Sequence, residues 1–190
     1  MSSYSAQALS REDLRKLAFY IREYFGYLDV WRIPVELLLD QMLIEFNGFN
    51  YEIIPDSEWG DPTSHAETDV LSGRITIRES VYIGACDGIG RDRMTIAHEI
   101  AHYFLIFVLH IKLCSRKGTK AYNDPEWQAK CLAGELLIPY HKYIEEKTPP
   151  TVTKLEELCG VSSEAAKIQY KAFTGGDVNE KSTFSKKNTL

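Results

Sequence analysis

Apolar residues recur every three to four positions through the start of this chain, which is the spacing of one buried helix face. Ser10 and Asp13 are typical of a helix start, and the spacing that follows predicts a helix that ends near Gly26. The same spacing predicts a second helix, which begins at Pro34 and ends near Asn47. The N-terminal part is therefore predicted to be helical.

The pattern then changes to the alternation that is typical of β-strands. Residues 49–54 are predicted to form one strand. Residues 69–71 and 74–78 flank a short polar turn and predict a hairpin. A Gly-rich connection at residues 84–90 is predicted to follow. These strands predict a small antiparallel β-sheet.

Helical spacing returns in the second half of the chain. Residues 93–110 form the most apolar segment and predict a buried central helix. A polar loop is predicted at residues 112–123, and Asp124 then begins a helix over residues 126–138. The predicted fold class is α+β, a mainly helical, zincin-like domain with its small sheet next to the central helix.

The domain organisation follows from two changes in composition. Thr148-Pro149-Pro150 is typical of a hinge, so residues 1–148 are predicted to form the main domain. Residues 149–173 predict a small helical module of two short helices that resembles a helix-turn-helix. Residues 174–190 are polar and are predicted to be a disordered tail.

The charge and composition exclude several classes of protein. The net charge of −5 argues against a dedicated nucleic-acid binder, which needs a basic surface. The 44% hydrophobic content is typical of a soluble globular protein. The longest apolar run is Tyr103 to Leu109, far shorter than the roughly 20 residues that span a bilayer.

The cysteines and the N-terminal segment bear on the compartment. The four cysteines form no CxxC pair, which favours free thiols in a reducing environment. No signal peptide pattern follows Met1. We therefore expect a cytoplasmic protein that does not bind a membrane.

The central helix carries the motif His98-Glu99-Ile100-Ala101-His102. Histidines four residues apart lie on one helix face, so both imidazoles can bind one metal ion. Glu99 projects to the side of that face, where it can act as general base on the attacking water. Two histidines without a partner would be costly on so apolar a helix. The motif predicts a Zn²⁺ site with His98 and His102 as metal ligands and Glu99 as the catalytic residue.

A catalytic zinc ion usually has a third protein ligand. The metzincin pattern is excluded because Leu105 and Val108 stand where it needs Gly and His. The remaining candidates are downstream glutamates: Glu126, Glu135, Glu145 and Glu146. Glu126 shares its helix face with alanines, which would allow close approach to the motif helix, whereas Glu135 lies on the opposite face. The helix faces favour Glu126 and leave Glu135 as the alternative.

Two segments carry a family resemblance. Arg91 to His102 resembles the active-site helix of the ImmA/IrrE family of metallo-endopeptidases. Glu126 to Pro139 resembles the family pattern E-x-x-A-N-x-F-A-x-x-L-L-M-P, so the resemblance implies that Glu126 is the third zinc ligand. It covers about residues 65 to 170. This sequence departs from the family pattern at three positions where Asn, Phe and Met are common in the family: Lys130, Leu132 and Ile138.

The resemblance also implies a function. Members of the family cleave a helix-turn-helix transcriptional repressor, often encoded beside them in phage, mobile-element or stress-response circuits. It implies a zinc-dependent endopeptidase whose protein substrate is such a repressor. The donor set suits zinc and also admits manganese.

An alternative is a non-proteolytic, metal-containing regulatory or toxin-type protein that binds a partner repressor or DNA. The second helix of the C-terminal module offers few side chains that read DNA: Ser162, Ser163, Glu164 and Lys167. The module is therefore interpreted as a packing or docking element. A peptidase of this kind also needs a hydrogen-bond donor for the oxyanion of the tetrahedral intermediate. Four residues are candidates by their side-chain type alone: His65, Tyr82, Tyr103 and His141.

Overall fold

The computed structural model describes residues 4–5, 7–111, 114–115 and 123–175. The helices in these ranges are α1 (Arg11–Tyr24), α2 (Val35–Glu45), α3 (Glu79–Cys86), α4 (Gly90–Tyr103), α5 (Pro125–Leu137), α6 (Tyr140–Glu145), α7 (Val152–Cys159) and α8 (Ser163–Thr174). A π-helical segment, Phe104–Val108, continues α4. The strands are β1 (Tyr4–Ser5), β2 (Tyr51–Ile54), β3 (Ala66–Thr68), β4 (Ile75–Arg78) and β5 (Cys114–Ser115). The prediction of a mainly helical α+β fold is confirmed.

The three-stranded sheet has the order β2-β4-β3. β3 pairs with β4 antiparallel, as predicted, but β2 pairs with β4 parallel. The prediction of a wholly antiparallel sheet was wrong because β3 does not lie between β2 and β4. The chain crosses to the far edge before β3, so β2 and the central β4 run in the same direction.

The hairpin turn is longer than predicted. Asp69 accepts hydrogen bonds from the Leu71 backbone N–H and the Ser72 hydroxyl, and this side-chain turn ends β3 at Thr68. Gly73, with a φ of 76°, completes the turn, and its N–H donates to the Asp69 carbonyl oxygen. The hairpin therefore exists, but its first strand lies three residues earlier than predicted.

The segment predicted as a Gly-rich connection begins inside helix α3, which ends at Cys86, and it reaches the start of α4 at Gly90. Gly84 lies inside α3, where a Cβ would collide with the Asp92 carboxylate. The glycine thus allows α3 to pack closely against the start of α4. Composition indicated a loop here, whereas close helix packing is the reason for the glycine.

Helix α4 is the buried centre of the fold, as predicted. Ile96, Ala97, Ile100 and Ala101 have no exposed surface. Helix α5 packs on α4 through small and branched residues that are also fully buried: Ala129, Leu132, Ala133 and Leu136. The alanines allow the two helices to approach closely, so the first turn of α5 lies next to the α4 histidines.

The C-terminal helices join the same hydrophobic cluster through Leu155, Cys159, Val161 and Ala166. The division into 1–148 and 149–173 stays a prediction. The predicted tail beyond Gly175 lies outside the described residues, as does most of the predicted polar loop at 112–123. None of the described helices is long and apolar enough to cross a membrane.

Candidate metal centre

Three side chains bring their donor atoms together between α4 and α5. The Nε2 atoms of His98 and His102 are 3.1 Å apart. Glu126 Oε2 lies 3.4 Å from His98 Nε2, and Glu126 Oε1 lies 3.4 Å from His102 Nε2. The histidine side chains are 19% and 13% exposed and that of Glu126 is 44% exposed, so the group opens to solvent on one side. These are the three residues predicted as ligands.

The spacing of these atoms fits a tetrahedral metal ion. Tetrahedral bonds of 2.0–2.1 Å place neighbouring ligand atoms about 3.3 Å apart. The observed separations of 3.1, 3.4 and 3.4 Å agree with that value. Two imidazoles and one carboxylate also form a donor set that is found in catalytic zinc sites. The residues present therefore fit a zinc ion.

The electrostatics of Glu126 suit a ligand that stays ionised. Hydrogen bonds with His102 and His98 lower the pKa of the Glu126 carboxyl well below its usual range, against the opposing effect of burial. An ionised carboxylate is the form that binds a cation. Glu126 is thus held in the protonation state that a metal site needs.

The start of α5 is built to place Glu126. Asp124 is the N-cap residue, and its carboxylate accepts a hydrogen bond of 3.1 Å from the Glu126 backbone N–H. Pro125 occupies the first turn, where its missing N–H costs nothing. Both residues fix the first turn of the helix and so the direction in which Glu126 projects.

Glu135, the alternative third ligand, lies elsewhere. Its fully buried carboxylate pairs with Arg15 at 3.0 Å and with Arg11 at 3.4 Å. It therefore connects α5 to α1 and does not reach the histidines. Glu145 and Glu146 are exposed at the end of α6.

Glu99 lies beside the donor atoms and has one hydrogen-bond partner that the sequence did not indicate. The Thr68 hydroxyl donates to Glu99 Oε2 at 2.7 Å. Glu99 is only 7% exposed, so this hydrogen bond restricts a nearly buried carboxylate. Thr68 ends strand β3, and its role depends on the packing of β3 against α4. No sequence motif carries that information.

The donor atoms open into a cleft of about 710 Å³ between β3 and the helices α4 and α5. All three residues of β3 line it: Ala66, Glu67 and Thr68. β3 pairs with β4 along one edge, and its other edge has no strand partner in the described parts of the chain. An unpaired strand edge can bind an extended peptide through backbone hydrogen bonds. The cleft can therefore hold a peptide next to Glu99.

Only His65 of the four candidate oxyanion donors lines this cleft. It precedes β3, and the Arg91 guanidinium contacts its Nε2 atom. Tyr103 is buried and stacked on another aromatic ring. His141 Nε2 lies 3.0 Å from a backbone carbonyl oxygen of the segment before α2. Tyr82 belongs to α3, which lies away from the cleft.

Comparison with known proteins defines the class of protein. The profile of the Peptidase_M78 family, described as the IrrE N-terminal-like domain, matches residues 59–171, which is more than half of the chain. The chain belongs to this metallopeptidase family, as its sequence motifs indicated. The match contains α4, α5, β3 and β4, and so every residue of the candidate centre.

The chain is also similar in fold to solved structures. One of them is described as a Mycobacterium tuberculosis transcriptional regulator, with a TM-score of 0.56 and 15% sequence identity. The alignment covers 84% of this chain and 46% of that chain, so this chain spans about half the length of that structure. At this identity the similarity concerns the fold alone. No curated protein matches the chain.

Proposed function

We propose that this chain is a zinc-dependent endopeptidase that hydrolyses a peptide bond in a protein substrate. The observation that carries the proposal is the convergence of donor atoms from His98, His102 and Glu126 within 4.8 Å. These three residues would hold the ion. Glu99 lines the same cleft. When bound, zinc acts as a Lewis acid that polarises water and the scissile carbonyl.

Glu99 is the proposed general base. Thr68 donates to its Oε2 atom, which leaves Oε1 to accept a proton from the attacking water. The same carboxyl group can then pass that proton to the leaving amine. Because Glu99 is held by a neighbour on β3, its orientation depends on the strand that borders the cleft.

The outer edge of β3 is the proposed peptide-binding element. A substrate in extended conformation can add to this edge and so lie across the opening of the metal centre. His65 lies at the start of that edge and is the donor that we assign to the oxyanion of the tetrahedral intermediate.

The substrate that we infer is a helix-turn-helix transcriptional repressor encoded nearby, in a phage or mobile-element setting. Support comes from the resemblance to the ImmA/IrrE family and from membership of the IrrE N-terminal-like family. A repressor would also place the enzyme in the cytoplasm. The metal centre opens into a cleft that is bordered by the edge of β3, which suits an extended segment of a protein.

The alternative is a non-proteolytic regulator that binds a repressor or DNA. Its DNA-binding form would use α8, but the exposed face of this helix includes Glu164 and Ile168 beside Lys167. An acid and an apolar residue on this face do not favour contact with phosphates. Binding of a protein without cleavage remains the competing function for the test below.

The test is co-incubation of the purified protein with the repressor-like product of the neighbouring gene. We expect defined fragments with zinc, and no fragments with a chelator or with Glu99→Gln. Glutamine keeps the shape of Glu99 but cannot accept the proton. The variant should keep the zinc content and melting temperature of the wild type and still bind the repressor.

Two outcomes would contradict the proposal. Cleavage by Glu99→Gln at the wild-type rate would remove Glu99 as the base. Binding of the repressor by both proteins, with no cleavage by either, would favour the non-proteolytic regulator.

A further inference from the structure

A second cavity, of about 420 Å³, lies between α5 and α8. We call it the α5–α8 pocket. Its wall is mainly apolar, and the apolar residues come from three helices: Met94, Trp127, Cys131, Ala165 and Ile168. Glu164, an exposed acid in the first turn of α8, also lines the pocket. Ile168, on the wall of this pocket, is 57% exposed.

The α5–α8 pocket lies next to the cleft of the metal centre. Lys130 lines both cavities. Met94 precedes the ligand His98 by one helical turn, and Trp127 directly follows Glu126. One helical turn advances about 5.4 Å, and an extended peptide advances about 3.3 Å per residue. A peptide in the cleft therefore reaches the pocket within about three residues of the bond to be cleaved.

Gly134 lies on the wall of the pocket, where α5 and α8 meet. A Cβ at this position would lie 2.9 Å from Gln169 Oε1, so the glycine lets α8 lie close to α5. The close contact also sets the orientation of Gln169, whose Oε1 atom accepts a hydrogen bond of 3.3 Å from Arg11. Because a guanidinium only donates, this bond fixes Gln169 Nε2 as the free end of the amide.

Two donors at the pocket have no acceptor among the described residues. Gln169 is 2% exposed, lines the pocket, and its Nε2 atom has no hydrogen-bond partner there. Lys130 is exposed and makes no ion pair with a described carboxylate, since Glu126 one turn earlier is turned to the histidines. Unpaired donors beside an apolar wall suit an occupant that carries both an apolar group and an acceptor.

We propose that the α5–α8 pocket binds a large apolar side chain of the substrate, with a carboxylate next to it in sequence. The apolar group contacts Met94, Trp127 and Ile168, and the carboxylate accepts from Lys130 and Gln169. This inference rests on the proposed function, because it makes the pocket a specificity site for the same peptide that lies in the cleft. In this proposal α8 contributes residues that contact the bound substrate.

The experiment uses binding, so that its outcome does not depend on catalysis. Zinc-loaded full-length Glu99→Gln protein is immobilised and incubated with an equimolar library of random synthetic dodecapeptides. Mass spectrometry identifies the retained peptides. We expect about tenfold enrichment of Leu, Met or Phe adjacent to Asp or Glu, because burial of one such side chain changes affinity by about that factor or more.

Two further substitutions, each combined with Glu99→Gln, separate the two parts of the site. Ile168→Asp should remove the enrichment of apolar residues, and Lys130→Met should remove that of acidic residues while the apolar preference stays. Ile144→Asp is the matched control, since Ile144 is 59% exposed on α6 and lines neither cavity. It should retain the same peptides as the parent.

Three results would overturn the inference. In the first, the retained peptides lack the apolar–acidic pair. In the second, Ile168→Asp retains the same peptides as the parent. In the third, light scattering shows that the protein is a dimer and that Ile168→Asp dissociates it. The last result would assign the pocket to a second copy of the chain. Failure of the wild type to cleave any substrate would instead concern the proposed function and would leave the retained peptides unaffected.

Discussion

The hydrogen bond from Thr68 to Glu99 offers the sharpest test of how the sheet supports the centre. Thr68→Val replaces the hydroxyl with a methyl group of similar size, so the packing of β3 on α4 is kept. The substitution removes the donor that lies 2.7 Å from Glu99 Oε2. The carboxylate can then rotate away from the position in which it accepts a proton.

The size of the effect follows from the kind of hydrogen bond. A bond to a charged group contributes about 1.5–3 kcal/mol, which corresponds to a factor of about 10 to 150 in rate. The lower end applies here because the cleft is open to water, which can replace the hydroxyl. We expect kcat to fall about tenfold. KM and zinc content should stay close to wild type, since Thr68 is not one of the ligands.

The assay is steady-state cleavage of a substrate identified with the wild-type protein, with zinc content and melting temperature measured on the same samples. Thr95→Val is the matched control. Thr95 also lines the cleft, but its hydroxyl donates to the Arg91 carbonyl oxygen within α4. Wild-type turnover by Thr68→Val, or an equal loss in both variants, would refute the positioning role.

Three other predictions follow from the same structure. His98→Ala or His102→Ala should release most of the bound zinc, measured by elemental analysis, because each removes one of three ligands; full occupancy in both would exclude this site. Glu126→Gln should also lower zinc content at little cost in stability. Glu135→Gln should keep zinc but lose about 2 kcal/mol of stability, because the buried carboxylate accepts charged hydrogen bonds from two partly exposed guanidinium groups. If zinc analysis and chemical denaturation instead show that Glu135→Gln loses zinc and Glu126→Gln loses stability, Glu135 is the metal ligand and Glu126 the structural residue. Gly90→Ala should destabilise the protein by about 2 kcal/mol, because a Cβ there would collide with the Val161 and Ser162 backbone, and Gly60→Ala, with open space around it, should not.

Much of the centre could be predicted because its residues lie on regular helices. His98, Glu99 and His102 are four residues apart at most, so helix geometry alone determines that the two histidines share a face. The third ligand required a choice between helix faces, and Glu126 was favoured because small residues allow close approach. The structure brings Glu126 to the histidines, and its role as a ligand stays a prediction to be tested by metal analysis.

Features that depend on tertiary contacts could not be predicted in the same way. Gly84 suggests a loop when read locally, and only its contact with Asp92 explains a glycine inside α3. The direction of β2 relative to β4 depends on which edge of the sheet the chain reaches after residue 54. The hydrogen bond between Thr68 and Glu99 joins residues 31 positions apart. No local spacing predicts such a pair.

The guanidinium of Arg93 affects how the protein unfolds locally and whether it tolerates truncation. This side chain is 1% exposed and donates to the carbonyl oxygens of Ile33, Cys159 and Gly160. Deletion of residues 149–175 would leave a buried cation with only one of these acceptors. We therefore expect the amide hydrogens of α4 and α7 to exchange with solvent in a single cooperative event.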